Sequence, residues 1–119
     1  MPNRRVVLQP AIEIVAAQSQ DIRFAVHTGG AKSGLVWINV LKNSSAASTW
    51  DILGATAQNL SSSTGAQSYW LSSRTINVGA STVGAFKGAL TDIPDFFRWS
   101  VTGVNAALQF EIVLYLYDT

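Results

Sequence analysis

At 119 residues and without cysteine, the chain is long enough to bury one core unaided, and it can form neither a disulfide nor a thiolate metal site. Charged residues make up 13% of it, against about 25% in an average soluble domain, and the net charge is +1. That balance gives no basic footprint for nucleic acid, and no apolar run approaches the roughly 18 residues of a membrane helix.

No helix of useful length can be written, because β-branched and aromatic residues hold the apolar positions. Met1-Pro2-Asn3-Arg4-Arg5 is followed by only Val6-Val7-Leu8 before Gln9, so no secretion signal is read there. Residues 6–8 predict a short strand that Pro10 stops, with 1–9 reading as an edge strand or an N-terminal arm. A second piece covers 12–15. From 20 to 27 the alternation is clean, with Ile22, Phe24 and Val26 inward and Asp21, Arg23 and Ala25 outward.

The glycine-rich stretch 28–34 reads as a turn, and 35–41 returns as a strand. Leu35, Trp37 and Leu41 take one of its faces, Val36, Ile38 and Val40 the other. Apolar residues on both sides predict a central strand covered twice. A polar loop over 43–48 leads to a short strand, 49–53, around Trp50. Residues 56–67 read as an exposed loop or a poorly paired edge, 69–71 and 75–78 as short strands, and 79–88 as loose sequence around Val83 and Phe86.

Pro94 sets a turn between Asp92 and Asp95. Phe97, Trp99 and Val101 then alternate with Phe96, Arg98, Ser100 and Thr102, and Gly103-Val104-Asn105 predicts a hairpin into the last strand. In that strand Leu108, Phe110, Ile112, Leu114 and Leu116 share one face, and Gln109, Glu111, Val113, Tyr115 and Tyr117 the other. About eight short strands with turns between them predict an all-β fold, a single antiparallel β-sandwich over 1–119, jelly-roll-like in its topology.

The residues offer no catalytic set. His27 is the only histidine, and sequence order supplies no nucleophile and acid to complete a triad with it. Gly30-Ala31-Lys32-Ser33-Gly34 departs from the phosphate-loop pattern and precedes a strand where a helix is required. Asp92 and Asp95 are two carboxylates where calcium takes six to eight oxygens. Glu13 and Glu111 have no spacing that marks a glycosidase pair. The expectation is a protein that is not an enzyme and uses no cofactor and no metal. Asn43-Ser44-Ser45 and Asn59-Leu60-Ser61 match the glycosylation sequon and are read as ordinary loop residues.

Two surfaces invite binding. Val36, Ile38, Val40, Val113, Tyr115 and Tyr117 exceed what one core absorbs, which predicts a protein–protein interface. Arg4 and Arg5 could add charge pairs with acidic groups of a neighbouring subunit. Trp50, Tyr69 and Trp70 sit beside polar loops and could instead form a platform on which sugar rings stack.

The run Phe97-Arg98-Trp99-Ser100-Val101-Thr102-Gly103, followed by Leu108-Gln109-Phe110-Glu111-Ile112-Val113-Leu114, resembles the closing hairpin of small β-sandwich proteins of tailed-phage structural regions, including jelly-roll capsid decoration proteins. The Ser/Thr/Ala-rich, cysteine-free composition is similar as well. The resemblance implies a structural virion protein that binds and stabilises a phage capsid. Its partners would be itself, as a homotrimer or other homo-oligomer, and a major capsid protein, with no nucleic acid or membrane. Discoidin-type sandwiches close with a comparable strand, which implies the alternative of a carbohydrate-binding module.

Overall fold

The computed structural model describes residues 3–60 and 69–118. Its strands are β1 (Asn3–Ile14), β2 (Gln18–Ser19), β3 (Val26–His27), β4 (Ser33–Asn43), β5 (Ser48–Ala55), β6 (Leu71–Val78), β7 (Gly84–Leu90), β8 (Phe96–Thr102) and β9 (Leu108–Tyr117), with a single 3-10 turn at Ile22–Phe24. Two antiparallel sheets pack face to face. One has the order β1-β9-β4-β7; the other runs β2-β8-β5-β6, with β3 also pairing β8. Taking β2 and β3 as one interrupted strand, this is the jelly-roll order. Among the described elements only β5 and β6 are successive strands paired with each other; β2 and β3 both lie on β8, and every other connection crosses between the layers.

The core lies between the sheets and is built by strict alternation. Phe110, Ile112, Leu114 and Leu116 of β9 and Val36, Ile38 and Val40 of β4 point inward and are almost fully buried. From the other sheet Trp50, Ile52, Phe97, Trp99 and Val101 meet them. The centre is an aromatic lock: the Phe110 ring lies 4.5 Å from Trp50 and 5.1 Å from Trp99, edge-on to both. Each buried indole keeps a hydrogen bond, Trp50 Nε1 to Ser48 Oγ at 2.9 Å and Trp99 Nε1 to Gln9 Oε1 at 3.0 Å.

Several sequence expectations change. Residues 6–8 and 12–14 belong to one strand, with Val15 just beyond its end, because two register shifts, Val7/Gln9 and Gln9/Ile12, let β1 carry Pro10 at an irregularity on the sheet edge. Asn3 already pairs with Tyr117, so the segment up to residue 9 is an edge strand from Asn3 onward and not an arm. The clean strand over 20–27 is broken. Asp21 accepts from the Arg23 amide at 2.9 Å and caps the 3-10 turn, which leaves Phe24 63% exposed. Residues 79–88 are not loose throughout, since β7 pairs with β4 without interruption from Gly84 to Leu90. The expected strand at 69–71 is not formed at Tyr69 and Trp70, which are bends, while Leu71 joins the 75–78 piece in β6 (Leu71–Val78). The stretch 56–67 falls partly outside the described residues; 56–60 form no part of a strand.

The closing hairpin is also corrected. β8 and β9 lie in different sheets, so residues 103–107 climb from one layer to the other. Gly103 makes the climb at φ +88°, and a Cβ there would come 2.5 Å from the Ala47 carbonyl oxygen. Side chains knit that end together. Asn43 donates to the Gly79 and Thr82 carbonyls, and the Asn105 side-chain oxygen accepts from the Ala46 amide at 3.0 Å.

Candidate functional site

The outer face of the β1-β9-β4-β7 sheet brings together side chains in rows fixed by the ladder register. One row runs Val7, Val113, Trp37, Lys87; the next runs Arg5, Tyr115, Leu35, Ala89. Beyond them lie Asn3, Tyr117 and Ser33 on one side and Glu111, Asn39 and Ala85 on the other. Val7 is 40% exposed, whereas Val113 is 3% exposed because Val7 and Trp37 flank it in the same row. Leu35, Trp37, Tyr115 and Tyr117 are half-buried and, with Asn3, line a shallow recess. The Lys87 ammonium sits 5.5 Å from the Trp37 ring centroid. Asn39 Nδ2 donates to Glu111 Oε1 at 3.1 Å and closes the polar end.

Trp37 is distinguished by its polar edge. Trp50, Trp70 and Trp99 each donate their indole N–H to a protein acceptor. The Trp37 N–H donates to none among the described residues, nor do the Tyr115 and Tyr117 hydroxyls. A ring with one apolar body and one free donor suits a surface that meets another protein.

The opposite sheet faces solvent with different chemistry. On its outer side Asp51 accepts from Ser72 Oγ at 2.9 Å and from Thr75 Oγ1 at 2.6 Å. Ser19 and Ser100 hydroxyls pair at 2.8 Å, and Thr49 Oγ1 donates to Asn77 at 3.2 Å. Further along this side the surface turns apolar, with Leu53 and Phe96 half-buried; Arg98 there is 5% exposed, donates to the Gln20 carbonyl at 2.7 Å and lies 4.9 Å from the Trp70 centroid. Burial holds its guanidinium below the ordinary value.

The expected interface residues therefore divide. Val113, Tyr115 and Tyr117 lie on the outer face as expected, and Arg5 joins them in the Tyr115 row. Val36, Ile38 and Val40 do not; they are core residues at 0%, 0% and 3% exposure. The outward residues of β4 are Leu35 and Trp37, which sequence reasoning placed on the other face. The signal that could have found them is Asn39, which shares parity with Leu35 and Trp37 and marks theirs as the wet side. Val7 and Lys87 were missed because their strands gave weak patterns. Arg4 is engaged within the chain: its guanidinium donates to Asp118 at 2.8 Å and to the Thr28 carbonyl at 2.6 Å.

The expected sugar platform is not assembled. Trp50 is fully buried in the core and Trp70 is 4% exposed, so only Tyr69, at 58%, faces water. Tyr69 borders a recess of about 370 Å³ with Leu71, Asp92 and Pro94. His27 is exposed, accepts from the Gly29 amide through Nδ1 at 3.1 Å and meets the Phe96 ring edge-on. Among the described residues no group of three or more His, Asp or Glu could hold a metal ion, and no helix is long and apolar enough to cross a membrane. No protein-family model matches the sequence, and no curated protein matches it. Fold and surface define the class instead: a jelly-roll sandwich with one aromatic sheet face open to contact.

Proposed function

We propose that this is a non-enzymatic structural protein of a phage virion, a decoration or accessory protein that binds and braces the capsid through protein–protein contacts. The observation that carries the assembly reading is the contrast between the two outer faces. On one, Asp51, Ser72, Thr75, Ser19 and Ser100 satisfy one another across part of the surface; the other presents Leu35, Trp37, Tyr115 and Tyr117 around a buried Val113. Both belong to one small chain, so the difference is not a matter of overall composition. The jelly-roll topology supports the virion reading, since capsid domains use it; lectin domains use it too, and topology does not choose between them. What favours the virion reading is the surface: the apolar face extends across neighbouring strands, while Tyr69 is the aromatic residue that lines the other recess.

The test is mass spectrometry of gradient-purified particles from the source of this gene, alongside the soluble fraction. The protein should band with the particles, and Tyr115→Asp should release it to the soluble fraction while leaving the far-ultraviolet spectrum unchanged. Wild-type protein found only in the soluble fraction would overturn the virion reading. A glycan screen in which binding depends on Tyr69 would favour the carbohydrate module instead.

A further inference from the structure

We infer that a second copy of this chain occupies the aromatic face, packed sheet to sheet about a two-fold axis that runs parallel to the strands between β4 and β9. The inference rests on the reading of that face as an assembly surface and names what covers it.

The argument is in the rows. Across the midline between β9 and β4, like stands beside like: Tyr115 beside Leu35, Val113 beside Trp37, and polar Glu111 beside polar Asn39. A two-fold along that midline exchanges the two strands while keeping each row in place. Tyr115 then meets the partner's Leu35 and Val113 meets the partner's Trp37, apolar on apolar. A two-fold across the strands through the Val113 row would reverse the rows and set Tyr115 on the partner's Glu111, burying a carboxylate against an aromatic ring.

The charges agree with the first arrangement. Arg5 and Lys87 stand on opposite edges of the sheet and in different rows, so the two-fold brings Arg5 over the partner's Ala89 and Lys87 over the partner's Val7. No like charges in these rows meet. A three-fold is disfavoured by the same geometry, because it needs two different patches on each subunit and this sheet face offers a single self-complementary one.

Size sets the strength. Four strands about 4.8 Å apart and about seven residues long give a projected face near 440 Å² per copy. Two copies together cover on the order of 900 Å² of projected face, below the roughly 1,200–2,000 Å² of accessible surface that a stable specific interface buries. The dimer is therefore concentration-dependent and forms where the protein is held at high local density.

The absence of cysteine makes the test clean. Val7 and Lys87 lie on the two edge strands, β1 and β7, with β9 and β4 between them. Three strand spacings are about 14 Å, about twice the ~7 Å a disulfide can span between Cα atoms, so these positions cannot be joined within one chain. The Val7→Cys/Lys87→Cys double variant, oxidised at about 100 µM, should give a covalent dimer as the main product, at least about tenfold reduced by adding Tyr115→Asp. Neither single cysteine should cross-link. A dimer from Val7→Cys alone would overturn the axis. No cross-link, with a monomeric mass by light scattering across the same range, would overturn the second copy as occupant. In that event Tyr115→Asp separates the two ideas: if it still releases the protein from particles, a foreign partner holds the face and the assembly reading stands. If it changes neither measurement, both fall.

Discussion

Trp37 faces Val113 directly across the β4–β9 ladder, and Lys87 reaches over from β7 until its ammonium lies 5.5 Å from the indole centroid. The ring is thus held on two sides by its own sheet and open on the third. It is an aromatic residue fixed in place without being enclosed, unlike Trp50, which sits in the core at 0% exposure between Trp99 and Phe110.

The two tryptophans should therefore answer differently to truncation. Trp50→Ala removes the centre of the aromatic lock and leaves a cavity, at a cost of about 3–5 kcal/mol. Trp37→Ala gives up one cation–π contact and part of a half-covered ring, at a cost of about 1 kcal/mol in the monomer. Urea denaturation followed by far-ultraviolet circular dichroism, at concentrations below self-association, compares them. Equal costs would mean that the outer face is a second core of the isolated chain, and the case for a partner would lose its main support.

Arg4 and Asp118 join the first and last strands near the chain ends, yet their side chains are 36% and 37% exposed. Solvent screening at that exposure leaves the ion pair itself under about 1 kcal/mol. Arg4 also donates to the Thr28 carbonyl at 2.6 Å, and Thr28 is buried and donates to the Pro94 carbonyl, also at 2.6 Å. Arg4→Ala should thus cost more than Asp118→Ala, by about 1 kcal/mol. A double-mutant cycle run at low and high salt should show the Asp118 contribution shrinking with salt and most of the Arg4 contribution persisting.

How much of this was legible beforehand depends on the strand. β9 could be read completely, because its inner face is wholly aliphatic or aromatic and Gln109 and Glu111 mark the outer one. β4 carries large apolar residues on both faces, so alternation told that it was central but left its sides to Asn39 alone. β7 was illegible because Gly84, Ala85, Gly88 and Ala89 give no hydrophobic contrast; pairing with β4 supplies the order that its own sequence lacks. The closing turn was misread for a different reason. Gly103-Val104-Asn105 has hairpin chemistry, and the crossing between sheets is decided by the sandwich and not by the turn residues. The sugar platform failed likewise: neighbouring polar loops suggested exposure for Trp50, while Ile52 at the same parity belongs to the core.

Asp21 gives a pH-sensitive reporter of the broken strand. The Arg23 side chain, and then the Arg23 amide, hold its carboxyl below the ordinary carboxylate range. A carboxylate depressed in the folded state adds stability that is complete above its unfolded pKa and lost as pH falls through the folded one. The effect is confined to that acidic window and is small, since the pair stands in solvent. A carboxyl-carbon NMR titration should place the Asp21 midpoint below the ordinary carboxylate range. Arg23→Ala should raise the Asp21 midpoint. An unmoved midpoint would show that the cap does not depend on the guanidinium.

Gly30 and Gly103 separate two reasons for glycine that are usually confounded. Both occupy the left-handed region, at φ +78° and +88°. A Cβ at Gly30 would meet nothing within 4 Å, whereas one at Gly103 would press on the Ala47 carbonyl oxygen. Gly30→Ala should consequently show the backbone penalty alone, about 1 kcal/mol. Gly103→Ala should show that penalty plus the displacement of the 44–47 loop, for a total of about 2–4 kcal/mol. The loop is tied to the same corner by Asn105, so its movement should also expose the Ala46 amide, which now donates to the Asn105 side chain. Thermal denaturation gives the two costs, and amide hydrogen exchange at Ala46 reads the displacement. If Gly103→Ala costs no more than Gly30→Ala and exchange at Ala46 is unchanged, the crossing between the sheets is softer than its close approach to Ala47 implies.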